Sequence, residues 1–118
     1  MYKNMIITWG KSKEINFDGP YPISRWDPPF RAAIYAIMIK PEPINKPNIY
    51  TIIYFGESGN LSERGFYKSH HAYNCWIREA GNESNLFIGI HTIPNSTEEE
   101  RLKIEQQLIS EYNPTCNK

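Results

Sequence analysis

Several features that mark familiar classes of protein are missing from this sequence. Cys75 and Cys116 are the only cysteines in 118 residues, and they stand far apart without a recurring spacing. Two unpatterned thiols are not typical of a zinc site or of a fold held together by disulfides. We therefore expect a cytoplasmic protein with reduced thiols and without a disulfide.

Surplus charge of either sign is also missing, since 13 basic residues balance 13 acidic ones. Tight nonspecific binding to nucleic acid normally needs more Lys and Arg, although a local basic face remains compatible with this composition. No apolar run is long enough to cross a bilayer, and the few apolar residues after Met5 are too few for a secretory signal. Phosphate-binding glycine loops and a serine nucleophile elbow are absent.

What is present fits one domain with a modest core, because 40% of the residues are apolar. Glycines and prolines interrupt residues 1–31, so we expect an irregular N-terminal arm with at most one short strand, at 5–9. Four aromatic residues should fix this arm to the domain formed by residues 32–118: Trp9, Phe17, Tyr21 and Trp26.

The domain has three strand-like and two helix-like segments. The strands are predicted at 34–39, 49–55 and 86–91, and the helices at 61–80 and from Thr97 to about Tyr112. Gly81 is a typical residue after the end of a helix, and Thr97 with Glu100 has the spacing of a capping box. The order predicts an α+β fold in which helices cover a small antiparallel or mixed sheet.

Glu105 is the most informative polar residue of the last predicted helix. It shares a helical face with apolar residues, among them Leu102 and Leu108. Burying an ionised carboxylate costs several kcal/mol, roughly, unless a partner charge or a metal compensates. The alternative is a boundary residue that reaches water or pairs with Arg101, one turn earlier. Both interpretations remain open on the sequence.

Arg64, Lys68 and His71 would project from one face of the first predicted helix. A guanidinium suits a phosphate that gains charge in a transition state, and the other two side chains suit nucleic-acid contacts. Neighbouring helical residues point about 100° apart, so we favour His71 over His70. The alternative is an ordinary solvated helix face.

Two tyrosines and a glycine lie in the first two predicted strands. Tyr35 and Tyr54 have core packing as their ordinary role, and only their combination with Arg64 and Glu105 favours a site. Gly56 would allow the backbone to approach a ligand closely.

Together these residues resemble the motifs of the GIY-YIG nuclease superfamily over about residues 32–118. The matching segments, in order, are Ala33-Ile34-Tyr35, Tyr54-Phe55-Gly56, Asn60-Leu61 with Arg64, Glu105 with Leu108-Ile109, Tyr112-Asn113-Pro114, and Asn117. Two positions depart from the pattern. Ala33 replaces a glycine, and Glu57 follows the second motif, where a carboxylate would repel the scissile phosphate unless it helped to bind metal.

The resemblance implies a three-stranded antiparallel sheet flanked by helices, with the site residues on one face. Glu105 would hold one divalent ion, Mg²⁺ or Mn²⁺, and Tyr35 or Tyr54 would activate or orient the attacking water. Arg64 would stabilise the phosphate in the transition state, and Gly56 and Asn117 would support the site. Metal, fixed cation and oriented water are what phosphodiester hydrolysis needs.

The function expected from this resemblance is a metal-dependent endonuclease that acts on DNA, including branched or damaged DNA. One alternative is a nucleic-acid-binding module with weak or no catalysis on the same scaffold. Another is a protein-interaction domain that uses the aromatic arm. Specificity is expected to come from the N-terminal arm, a homodimer or a partner protein.

Overall fold

Five strands form one antiparallel sheet in the part of the chain that the computed structural model describes, residues 5–26, 31–42, 45, 49–61 and 66–118. The strands are β1 (Ile6–Trp9), β2 (Ile15–Pro22), β3 (Ala33–Ile39), β4 (Thr51–Ser58) and β5 (Phe87–Thr92). Their order across the sheet is β1-β2-β5-β3-β4, so β4 is an edge strand. The α+β class is confirmed, whereas a sheet of only three strands is wrong.

The two additional strands come from the N-terminal arm, so the expectation of an irregular arm is also wrong. Phe17 of β2 is completely buried, and β1 pairs with β2 from Ile6 to Trp9. The glycine and prolines of β2 had argued against a strand. The pairing of β2 with β5 shifts register between Asp18 and Tyr21, and such an irregularity tolerates residues that a regular ladder excludes.

Two α-helices lie on opposite faces of this sheet. Helix α1 is Tyr73–Ala80, and its Trp76 packs with side chains from one face of β3, including Tyr35 and Ile37. Helix α2 is Glu98–Tyr112, and its Leu108 packs with Phe55 and other residues on the second face.

Helix α2 has the predicted boundaries. The Thr97 hydroxyl accepts a hydrogen bond from the Glu100 backbone N–H at 3.1 Å, and the Glu100 carboxylate accepts one from the Thr97 backbone N–H at 3.2 Å. Asn113 then ends the helix in the left-handed region with a φ of 47°. The capping box predicted from the sequence is therefore confirmed.

The predicted helix at 61–80 is too long. Phe66–Ser69 is a 3-10 turn, and regular α-helix begins only at Tyr73. The side chain of His70 accepts the backbone N–H of Ala72 at 3.0 Å, which competes with helical bonding in this stretch. Gly81 ends α1 as predicted, with a φ of 89° and its N–H donated to Ile77.

The two cysteines are joined, which contradicts the expected absence of a disulfide. Cys75 of α1 bonds to Cys116 in the C-terminal 3-10 turn Thr115–Asn117, with their Cα atoms 5.8 Å apart. The sequence showed only that the thiols were far apart, and the fold brings α1 and the chain end together beside β4. The cytoplasmic location stays a prediction. Within the described ranges, no helix is both long and apolar enough to span a membrane.

Candidate active site

Tyr35 and Gly56 are cross-strand partners on β3 and β4, and the Tyr35 ring lies across the glycine. A Cβ atom at position 56 would overlap the Tyr35 ring and would stand 2.7 Å from its Cε2. Only 4% of Tyr35 is exposed, so its ring is held by the core. Gly56 is therefore needed to leave room for the tyrosine ring, and its approach to a ligand stays a prediction.

His70 contacts the hydroxyl of Tyr35, with 2.9 Å between Nε2 and Oη. Because the His70 Nδ1 accepts the Ala72 N–H, the neutral ring carries its proton on Nε2 and donates it to Tyr35. Burial, and secondarily the neighbouring His71, lowers the pKa of His70 to about 4. The ring is therefore neutral at neutral pH and serves as a fixed donor.

Tyr54 lies next to this pair. Its ring centre lies 6.1 Å from that of Tyr35 and 5.2 Å from that of His70. Burial is the largest influence on the pKa of both tyrosines, and it raises each pKa above its ordinary value. His70 and Tyr35 are thus joined by a hydrogen bond, and Tyr54 packs beside them.

Glu105 of α2 is close enough to Tyr35 and Tyr54 for its charge to act on both phenols. Its negative charge raises the pKa of both Tyr35 and Tyr54, and its own pKa is raised by burial and then by the charge of Glu57. In the described part of the chain Glu105 has no ion pair. The carboxylate therefore sits partly desolvated next to the tyrosines.

Arg101 does not pair with Glu105, so the ion pair considered from the sequence is wrong, whereas a boundary position remains compatible with the partial burial of Glu105. The Arg101 Nε lies 3.1 Å from Glu57 Oε1, and its Nη1 donates to the Ser96 carbonyl at 2.7 Å. Arg101 is only 7% exposed and is a structural cation that joins α2 to the end of β4. Its charge offsets that of Glu57 and reduces the repulsion expected between Glu57 and a phosphate.

Asn117 is attached to the edge of the sheet. Its side-chain Oδ1 accepts the Phe55 N–H, and its Nδ2 donates to the Phe55 carbonyl, both at 2.9 Å. Phe55 lies between Tyr54 and Gly56, so the amide fixes the strand that carries the site. The disulfide at the preceding residue anchors this turn to α1.

Three predicted site residues lie outside this cluster or outside the described residues. Arg64 belongs to residues 62–65, of which nothing is described here, so its role stays a prediction. Lys68 is exposed, with its Nζ 5.9 Å from the centre of the Tyr67 ring. His71 is exposed and stacks on His70 at 4.4 Å between ring centres.

His70 is the residue that sequence reasoning missed. The choice of His71 assumed one α-helix from residue 61 to residue 80, in which His71 would share a face with Lys68. The 3-10 turn at 66–69 interrupts that helix, so the two residues need not share a face. His70 instead points inward, 4.6 Å from the Trp76 ring. Nothing in the spacing of the two histidines distinguishes them once the helix is interrupted.

At this edge Glu105 is the residue that could hold a divalent ion. Magnesium keeps several waters and is commonly held by one or two carboxylates together with substrate phosphates. Glu105 offers one such carboxylate without a competing cation in the described part of the chain. Among the described residues no group of three or more His, Cys, Asp and Glu side chains converges, so a site here would rely on water and substrate oxygens.

Comparison with known proteins finds no similar protein. No family model matches the chain, and no curated protein and no solved structure is similar to it.

Proposed function

We propose that this chain is a divalent-metal-dependent endonuclease that hydrolyses DNA phosphodiester bonds, with a site of the GIY-YIG kind. The observation that carries the proposal is the packing of Tyr35 against Tyr54, with ring centres 6.1 Å apart, and with the Glu105 carboxylate close enough for its charge to act on both phenols. Two strands and helix α2 supply these groups, and they are the residue types that the motif resemblance assigns to hydrolysis.

Glu105 is the proposed ligand of one Mg²⁺ or Mn²⁺ ion. When bound, such an ion polarises a phosphate oxygen and makes a coordinated water more acidic. Binding also relieves the cost of the buried negative charge, because a cation next to the carboxylate replaces the water lost on burial. The chain's own part is to present this carboxylate partly desolvated and fixed on α2.

Tyr54 is the tyrosine proposed to orient the attacking water. It borders an open cleft, whereas Tyr35 is more deeply buried and its hydroxyl contacts His70. The high pKa of both phenols makes them hydrogen-bond donors and acceptors at neutral pH rather than phenolate bases. Tyr35 and His70 are positioning residues that pack beside the Tyr54 ring.

A nucleic-acid-binding module without cleavage is the second candidate. It is favoured by Glu57, whose negative charge lies close enough to Glu105 to raise its pKa and would also face an incoming phosphate. Arg101 offsets this charge through its ion pair, so we rank the nuclease first. The two functions differ in whether bound DNA is cut.

The test is incubation of linear, nicked and branched DNA with the protein in magnesium, in manganese or with a chelator. The nuclease cuts at least one of these substrates, and chelation stops it. Glu105→Gln should lower the cleavage rate at least about 100-fold. Substitution of a residue that only supports a metal ligand typically lowers activity about 10- to 100-fold, and loss of the ligand itself should lower it more.

Glu99→Gln is the matched control, since it neutralises an exposed carboxylate on the same helix and should cut like wild type. Arg64→Ala should also abolish cleavage and leave folding intact if the role implied by the resemblance holds. DNA that is bound but never cut would support the second candidate. Cleavage that survives both chelation and Glu105→Gln would contradict the proposed mechanism.

A further inference from the structure

A cleft of about 450 Å³ opens next to Tyr54, between α1 and the C-terminal turn. One wall carries His71 and Arg78, and the other carries Asn117 and Lys118. Tyr54 and Asn117 belong to the candidate active site, so the cleft shares two residues with it. Its volume is in the range of sites that hold small ligands or parts of larger ones.

The cleft is basic although the chain as a whole has no net charge. Arg78 and Lys118 border it together with His71, and no Asp or Glu side chain does. Within the described ranges none of these three side chains forms an ion pair. Two cationic side chains, Arg78 and Lys118, on a concave surface that no Asp or Glu side chain borders favour an anionic ligand.

The walls of the cleft are held in place. The disulfide between Cys75 and Cys116 joins them directly, and both of its residues line the cleft. Cys75 and Arg78 are three residues apart on α1, so the arginine projects from the same face as the disulfide. The turn on the other side is fixed to β4 by Asn117. A fixed cleft loses less entropy when it binds.

We propose that this cleft binds a phosphodiester group of the substrate strand, next to the phosphate that Tyr54 faces. The inference rests on the proposed function, and it adds Arg78 and Lys118 as residues that hold the DNA strand. A guanidinium can grip two phosphate oxygens at once, and an ammonium contributes a point charge. His71 borders the same cleft as an additional donor.

Binding is tested apart from cleavage, with Glu105→Gln protein, a chelator and a fluorescent DNA oligonucleotide. Adding Arg78→Gln and Lys118→Gln should weaken binding about 10-fold at low salt and lower the slope of log affinity against log salt by about one to two. Both residues are exposed, so folding should survive, and circular dichroism checks this.

Arg25→Gln in the same Glu105→Gln protein is the control. It removes an exposed cation from a different cleft, next to Tyr21 and Trp26. The proposal predicts that its affinity and salt slope match the parent. If Arg25→Gln loses at least half as much in log affinity and in salt slope as the double variant, only total charge matters, because it removes one charge and the double variant removes two; that result would overturn the inference.

The outcomes also separate this inference from the proposed function. Wild-type protein that cuts DNA, with a double variant that binds as tightly as its parent, refutes the cleft and leaves the nuclease intact. Wild-type protein that binds DNA through the cleft without cutting supports the cleft and refutes the nuclease. Wild-type protein that neither binds nor cuts any DNA refutes both.

Discussion

Gly56→Ala is the substitution whose effect follows most directly from the geometry of the site. The added methyl group would overlap the ring of Tyr35, which lies across position 56 and is almost completely buried. The ring cannot swing into solvent, so it must shift within the core. Its hydroxyl would then leave the position in which His70 contacts it at 2.9 Å.

The expected cost combines two opposing effects. Overpacking a filled core costs about 1–3 kcal/mol, and alanine regains about 0.5–1 kcal/mol over glycine in a strand. Taking the middle of each range, the net loss in the free energy of unfolding is about 1.3 kcal/mol. Unfolding entropy of about 2.1 cal/mol/K per residue over 118 residues converts this loss to a fall in Tm of about 5 °C.

Thermal denaturation followed by circular dichroism measures this shift, and the cleavage assay measures the effect on the site. Tyr35→Leu supplies the control, because it removes the ring that the methyl group would overlap. In that background Gly56→Ala should cost almost nothing, which is a coupling between the two positions. A Gly56→Ala protein with wild-type Tm and activity would refute the close approach of Tyr35 to the glycine.

Three further predictions concern the supports of the site. Asn117→Ala should lower the free energy of unfolding by about 1–3 kcal/mol in urea denaturation, since the backbone N–H and carbonyl of Phe55 both lose a partner. The control is Asn74→Ala, which changes an exposed asparagine and should leave the free energy of unfolding unchanged. Cys75→Ser should cost about 2–4 kcal/mol, and a thiol reductant should lower the Tm of wild type but not of this variant. Burial and the charge of Glu57 raise the pKa of the Glu105 carboxyl, so the folded protein binds the carboxyl proton more tightly than the unfolded chain does. The free energy of unfolding therefore falls as pH rises from the ordinary pKa of a glutamate to the raised pKa in the folded state. Glu105→Gln should therefore be more stable than wild type near pH 8 and equal to it near pH 3; equal stability at both would contradict the burial of this carboxylate.

The sequence predicted the elements that carry their own local signals. Helix α2 has its boundaries because Thr97 and Glu100 form a capping box and Asn113 ends the helix, all within a few residues. Strands β3, β4 and β5 were found within about three residues of their ends from apolar runs and turn residues. Such signals depend on neighbours in the chain and can be recognised without knowing the fold.

What the sequence did not predict depends on contacts between distant segments. Strand β2 contains residues that disfavour a regular strand, and its pairing with β1 and β5 overrides them. His70 faces inward because its side chain bonds Tyr35, 35 positions earlier, and the disulfide forms because α1 and the chain end meet beside β4. The ion pair between Arg101 and Glu57 likewise joins residues that are far apart in the sequence.

The amide of Asn117 also has a consequence for the solubility of the protein. Strand β4 is an edge, and its residues 51–56 combine high β-propensity with no charge, which is typical of segments that assemble into fibrils. At Phe55 the groups that a strand from a second molecule would need are occupied by Asn117. The residue that steadies the site thus also protects the edge, so loss of the C-terminal turn should promote aggregation as well as weaken the site.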